Sequence, residues 1–194
     1  ISKYNNVSID STTVSGCNFP HDPSHRSCGD IQIKQRERIL SSINEGDLVV
    51  ISNRYIINQS WLNEAAFKRL ENFGEDIALK GGKVILFAPT PEFDLSIALC
   101  KSEWFRPFQN KSCVVSEKFF RSKREKSYKL LNRFSDNVLV YDPMKKLCPN
   151  GVCSMMDNLS KPLYTDTDHF TDYANSEYLY NDFLNFLLEN NILY

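Results

Sequence analysis

The sequence predicts an α/β sandwich, with helices on both faces of a parallel sheet, on three observations. Three short apolar, β-branched runs have the length of buried strands: Asp47 to Ser52 (DLVVIS), Lys83 to Ala88 (KVILFA) and Asn137 to Tyr141 (NVLVY). Stretches with three- and four-residue apolar spacing separate these runs, so the order is strand, helix, strand. Alternation of this kind buries both faces of a parallel sheet and places sites just outside the carboxyl ends of its strands. At 194 residues, one domain spanning 1–194 is the expectation.

Taken in order, Asn6 to Ser15 reads as a further strand that ends where a cysteine loop begins, and nothing before it could form another strand and helix. Ile31 to Ile43 reads as a helix leading into the first core strand. The next helix places Leu62, Ala66, Leu70, Phe73 and Ile77 on one face and stops at Gly81-Gly82. An amphipathic helix from Ser116 to Phe134 precedes the third strand. The last helix, Asp172 to Glu189, sets Leu179, Phe183 and Leu187 on one side.

A net charge of -1 gives no global reason to expect nucleic acid or a charged surface as partner, so recognition has to come from a local site. The six cysteines fall as near neighbours: Cys17 with Cys28, Cys100 with Cys113, Cys148 with Cys153. Local closure is the simplest of the pairings that six cysteines allow. A metal site is the rival, but there is no CxxC pair, and His21 and His25 beside Cys17 and Cys28 would leave the other four cysteines unexplained. Cysteine usage of this kind points to a periplasm, a secretory lumen or the cell exterior. No apolar run approaches the roughly 20 residues of a membrane helix, and no signal peptide opens the chain. Sequons begin at Asn6, Asn58, Asn110 and Asn158, and matter only in a eukaryotic secretory pathway.

The sharpest chemical signal is Tyr164-Thr165-Asp166-Thr167-Asp168-His169-Phe170-Thr171, ahead of the last helix. In a turn, Asp-x-x-His can bring a carboxylate to imidazole Nδ1, which fixes the tautomer and leaves Nε2 to take a proton. His169 is then the base and Asp166 its orienter, with Thr171 available as a helix cap. The competing reading is a polar turn with an incidental histidine. Residues after the strands are further candidates: Asn53-Arg54-Tyr55, Pro89-Thr90-Pro91, and Asp142-Pro143 with the Cys148 to Cys153 loop. The run Lys118, Arg121, Lys123, Arg124, Lys126, Lys129 and Arg133 reads as a solvated basic helix face, or as a contact for acidic glycan or lipid head groups. Trp61, Phe67, Trp104, Phe105 and Phe108 read as packing residues, or as a surface for stacking on a sugar. No phosphate loop or dinucleotide fingerprint is present, and no cofactor is expected.

Several stretches, in this order, resemble the SGNH hydrolase-like domain attached to membrane acyltransferases of the acyltransferase-three family. They are Ser15-Gly16-Cys17-Asn18-Phe19-Pro20, Asp47 to Tyr55 (DLVVISNRY), Pro89 to Pro91, the Cys100 and Cys113 pair, the Cys148 to Cys153 loop, and Pro162 to Thr171. The resemblance implies a three-layer flavodoxin-like sandwich with a parallel sheet and serine acyl-enzyme chemistry on a surface carbohydrate. Asp166 and His169 would be the acid–base pair, and Asn53 and Arg54 would serve the oxyanion or substrate. It also implies an acyl donor, a linked membrane acyltransferase domain, and tethering through an upstream segment.

The family's Gly-Asp-Ser nucleophile block has no counterpart before Ile1, so the N-terminal strand and nucleophile helix are expected to lie upstream or to have been lost. Ile9-Asp10-Ser11 keeps the Asp-Ser pair, but only five residues separate Ser11 from Cys17, too few for a nucleophile helix. Gly29 is a distant candidate for the family's oxyanion glycine. The rival function is a non-catalytic glycan-binding or accessory module on the same fold. A disulfide-stapled structural domain is a third.

Overall fold

The computed structural model describes residues 8–11, 17–20, 26–55, 61–94, 97, 100 and 113–192. Helix α1 (Arg26–Ser42) leads to β1 (Leu48–Ile51), α2 (Glu64–Ala78) and β2 (Lys83–Phe87). Then come β3 (Val114–Ser116), α3 (Glu117–Lys123), α4 (Glu125–Leu131), β4 (Val138–Tyr141), α5 (Met144–Leu147), β5 (Val152–Ser154) and α6 (Tyr180–Glu189). The three apolar runs form one parallel sheet in the order β1-β2-β4, with Val49 opposite Val84 and Val84 opposite Val138. This is the parallel α/β fold expected from the alternation of elements.

Strand alternation divides the sheet between two apolar layers. Ile51, Val84, Leu86 and Val138 face α2, through Ala66, Leu70, Phe73 and Ile77, together with Leu130 and Leu131 of α4. Ile85 and Tyr141 face the other way, against Phe183, Phe186 and Leu187 of α6. Asn63 caps α2 by accepting from the Ala66 amide at 3.0 Å. Gly74 lets α2 lie close to β4, where an added Cβ would sit 2.5 Å from Val138 Cγ2. Gly81, at φ +78, turns the chain where a side chain would run into Glu45.

Several expectations need correction. Residues 8–11 carry no strand: Ile9 is 71% exposed and Asp10 instead pairs with Arg38 of α1 at 3.1 Å. The remainder of the expected Asn6 to Ser15 strand lies outside the described residues, as do His21, His25, Trp104, Phe105, Phe108 and the sequons at Asn6, Asn58 and Asn110. The helix expected from Ser116 to Phe134 breaks at Arg124, whose backbone (φ −123, ψ 22) separates α3 from α4. Arg124 is buried there, so the basic run is not a single solvated face.

The last helix opens with a π turn, Ala174–Tyr178, which turns Leu179 into a different apolar cluster from Phe183 and Leu187. That cluster also holds the small antiparallel β3–β5 sheet, which nothing in the sequence pattern announced. Disulfides join Cys17 to Cys28, Cys100 to Cys113 and Cys148 to Cys153. Among the described residues, no helix is long and apolar enough to cross a membrane.

Candidate active site

The Thr165 to His169 turn is built from its own polar groups. Asp166 Oδ1 accepts from the amides of Asp168 (2.9 Å) and His169 (2.8 Å), and the Thr165 amide donates to the His169 carbonyl at 2.8 Å. A Tyr164–Phe170 bridge closes the base of the turn. Tyr164 is 1% exposed and packs on Phe93 and Phe170, which anchors the loop in the core. Thr171 Oγ1 donates to the Pro162 carbonyl (2.9 Å) and accepts from the Ala174 amide (3.0 Å), so it holds the start of the following helix as anticipated.

Within this turn, His169 Nδ1 lies 2.8 Å from Asp166 Oδ2. A carboxylate can only accept, so the imidazole proton sits on Nδ1 and Nε2 carries the lone pair. His169 is 72% exposed, and no hydroxyl bonds its Nε2 among the described residues. The two backbone amides, and then the imidazole, hold the Asp166 carboxyl down at about 2. The hydrogen bond to Asp166, with the nearby Asp168 charge, raises the His169 pKa above its ordinary value.

His169 stands on an open cleft of about 570 Å³ at the carboxyl ends of the three strands. Residues 52–55 after β1, Ala88, Thr90 and Glu92 after β2, and Pro143 after β4 line it. The α6 side contributes Tyr180 and Phe183. The fold therefore gathers Asn53, Arg54 and His169 at one opening. Asn53 is already occupied: its Oδ1 accepts from the Phe19 amide (3.0 Å) and its Nδ2 donates to the Phe19 carbonyl (2.6 Å). Ser11 is exposed and Gly29 lies beside a separate groove with Phe19 and Arg69; neither lines this cleft.

Carboxylates surround Arg54, one of which, Glu92, the sequence reading passed over. Arg54 Nε lies 3.2 Å from Asp168 Oδ2 and 3.6 Å from Glu92 Oε1. Glu92 Oε2 lies 2.9 Å from Nη2 of Arg124, a side chain 2% exposed. Arg124 Nε donates to the Tyr55 carbonyl at 2.9 Å, and its guanidinium covers the Phe120 ring at 3.9 Å. Asp166, Asp168 and His169 bring one potential ligand atom each within 4.8 Å of one another.

No curated protein matches the sequence. Among solved structures, the periplasmic domain of the lipopolysaccharide acetyltransferase of Salmonella ser. Paratyphi A is similar in fold. The TM-score is 0.57 at 15% identity, with 83% of this chain and 63% of that one covered. The chain thus corresponds to less than two thirds of that domain's length. The family model of the SGNH domain fused to AT3 domains matches residues 1–179. With the parallel sheet and the cleft at its carboxyl end, that match over most of the sequence establishes that the chain belongs to the SGNH domain family found fused to AT3 domains.

Proposed function

We propose that this chain carries the acid–base half of an extracytoplasmic enzyme that transfers or hydrolyses O-acyl groups on a surface carbohydrate. The observation that carries the reading is the Asp166–His169 pair, with Nε2 open at the mouth of the cleft in a chain of this family. A serine Oγ attacks the acyl carbonyl and its proton passes to His169 Nε2. The imidazolium, steadied by Asp166, then gives that proton to the departing oxygen. In the second half His169 takes a proton from the acceptor, a sugar hydroxyl or water, whose oxygen attacks the acyl-enzyme and frees the serine. Arg54, and one Nδ2 hydrogen of Asn53, meet the substrate or the developing oxyanion.

In this reading the nucleophilic serine lies outside the chain, in an upstream segment of a longer polypeptide that also bears the membrane acyltransferase domain. The family's fusion to AT3 domains supports that linkage. Three disulfides, and the periplasmic setting of the similar acetyltransferase domain, support a periplasmic or extracellular location. The alternative is a non-catalytic glycan-binding module of the same fold, favoured by the exposed Ser11 lying away from the cleft lining.

Fluorophosphonate labelling with peptide mapping, on this chain and on a polypeptide extended upstream, tests the proposal. It expects one labelled upstream serine, with labelling abolished by His169→Ala. A label on Ser11 or on Ser52, which lines the cleft, would overturn the placement of the nucleophile. No label on either folded protein would favour the glycan-binding module.

A further inference from the structure

Among the described residues, Arg54 is the cation that lines the cleft, and its half-exposed side chain is held by carboxylates on two other segments. Its Nε edge faces two carboxylates, Asp168 from the histidine loop and Glu92 from the segment after β2. Asp168 is itself fixed, receiving the Thr167 hydroxyl (2.9 Å) and donating its amide to Asp166. Glu92 is fixed from the other side by Arg124, which the break between α3 and α4 turns inward. Arg124 also grips the carbonyl of Tyr55, the residue after Arg54. One buried guanidinium thus holds both the backbone beside Arg54 and the counter-ion of Arg54. Alongside, the Phe93 amide donates to the Thr167 carbonyl at 2.9 Å, tying the Glu92 segment to the histidine loop.

We propose that Glu92 is a positioning residue of this site: braced by Arg124, it fixes the Arg54 guanidinium against Asp168 and so holds the cationic wall of the cleft in register with His169. Glu92 stands between two guanidinium groups. Without its charge the buried Arg124 and the more exposed Arg54 repel each other, and Arg54, at 56% exposure, is the one free to leave. The proposal deepens the reading of Asp166 and His169 as the acid–base pair and rests on it. The charged and titratable groups facing His169 are Asp166 and Asp168 from its own loop and Arg54 from the segment after β1. Among the described residues, Tyr55 after β1, Glu92 from the segment after β2, Tyr141 of β4 and Tyr180 of α6 line the same cleft.

The test is NMR on the folded chain, reading the imidazole titration of His169 and the Nε–H signal of Arg54. Arg54→Gln removes a cation beside His169, so its midpoint rises. Glu92→Gln is expected to raise the midpoint likewise and to abolish exchange protection of the Arg54 Nε–H, while the Arg124 Nε–H bonded to Tyr55 stays protected. In an Arg54→Gln background, Glu92→Gln is expected to move the midpoint no further. An unchanged or lowered midpoint in Glu92→Gln overturns the proposal, as does a shift of equal size in both backgrounds. Should Glu92→Gln fail to fold, Glu92→Asp keeps a charge for Arg124 while withdrawing it from Arg54, and the same outcomes decide. This readout needs no nucleophile, so its failure and a failure of serine labelling are separate results.

Discussion

Asn53 holds the peptide of Phe19 at both ends, accepting from its amide at 3.0 Å and donating to its carbonyl at 2.6 Å. The pair ties the end of β1 to the segment that follows Cys17, and the Phe19 ring seats edge-on against Phe73 of α2 at 5.1 Å. A residue that the sequence offers as an oxyanion donor therefore has a structural duty first.

Asn53→Ala removes both hydrogen bonds and leaves two partly buried backbone groups of Phe19 without partners. It is expected to cost about 1–3 kcal/mol of stability, read by urea denaturation. Asn53→Asp keeps an acceptor for the Phe19 amide but turns a carboxylate toward its carbonyl, and should be no milder. A loss of activity without a loss of stability would assign Asn53 to chemistry alone.

Asp166→Asn takes away the acceptor that fixes the Nδ1–H tautomer. The His169 midpoint should fall toward the ordinary imidazole value, and turnover by the serine-bearing polypeptide should drop on the order of 10²- to 10⁴-fold. NMR titration and steady-state kinetics check the two halves separately.

The pH dependence follows from the same pair. A base must be neutral, so kcat/KM should rise with pH through an apparent pKa above the ordinary imidazole value of 6.5. Stability runs differently. The raised His169 pKa contributes fully below 6.5 and is lost as pH climbs through the folded value. The lowered Asp166 pKa contributes above 3.8 and is lost as pH falls through about 2. The stability difference between the parent and Asp166→Asn should thus be greatest between 3.8 and 6.5, as a series of denaturation curves would show.

Gly74→Ala places a methyl 2.5 Å from Val138 Cγ2 and 3.1 Å from the Asn137 carbonyl. Separation of α2 from β4 should lower stability by about 1–3 kcal/mol, despite alanine's better helix propensity, and a lower thermal midpoint would report it.

For the disulfides, the chain-entropy model assigns more stabilisation to a longer closed loop. Opening Cys100–Cys113, separated by 13 residues, should cost about 3 kcal/mol, against about 2 kcal/mol for Cys148–Cys153, separated by 5. Paired alanine substitutions compared by denaturation would give the order.

The parallel sheet was legible because DLVVIS, KVILFA and NVLVY each pack an apolar run too short for a helix between breaks. The Asp166–His169 pair was legible because its geometry is entirely local: donors, acceptor and imidazole all come from the four consecutive residues Asp166 to His169. The Arg54 environment was not, since Glu92 and Arg124 reach it from distant elements. A signal existed even so. Arg124 falls four residues after Phe120 and three before Ser127, on the buried side of its helical pair, where a cation without a partner would be costly. Glu92, just past the end of β2 beside Pro91, is likewise a charge at a strand's carboxyl end. Of the strand expected from Asn6 to Ser15, the described residues 8–11 are not in a strand and Ile9 is exposed: one apolar residue in a polar stretch gives a weak strand signal.

The break at Arg124 changes what this domain shows to its surroundings. Of the cations in the run from Lys118 to Arg133, Arg121 faces Glu117 and Asp142, Arg124 faces Glu92, Lys129 faces Glu125 and Arg133 faces Glu64. Paired charges act at a distance as dipoles, whose potential dies away faster than that of single charges and is screened further by salt. Lys118, Lys123 and Lys126 have no such carboxylate partner among the described residues, so the stretch projects a weaker positive potential than its seven cations suggest. In the proposed setting beside a membrane, proximity would come from covalent attachment, indifferent to ionic strength, and severing the link would release the domain whole.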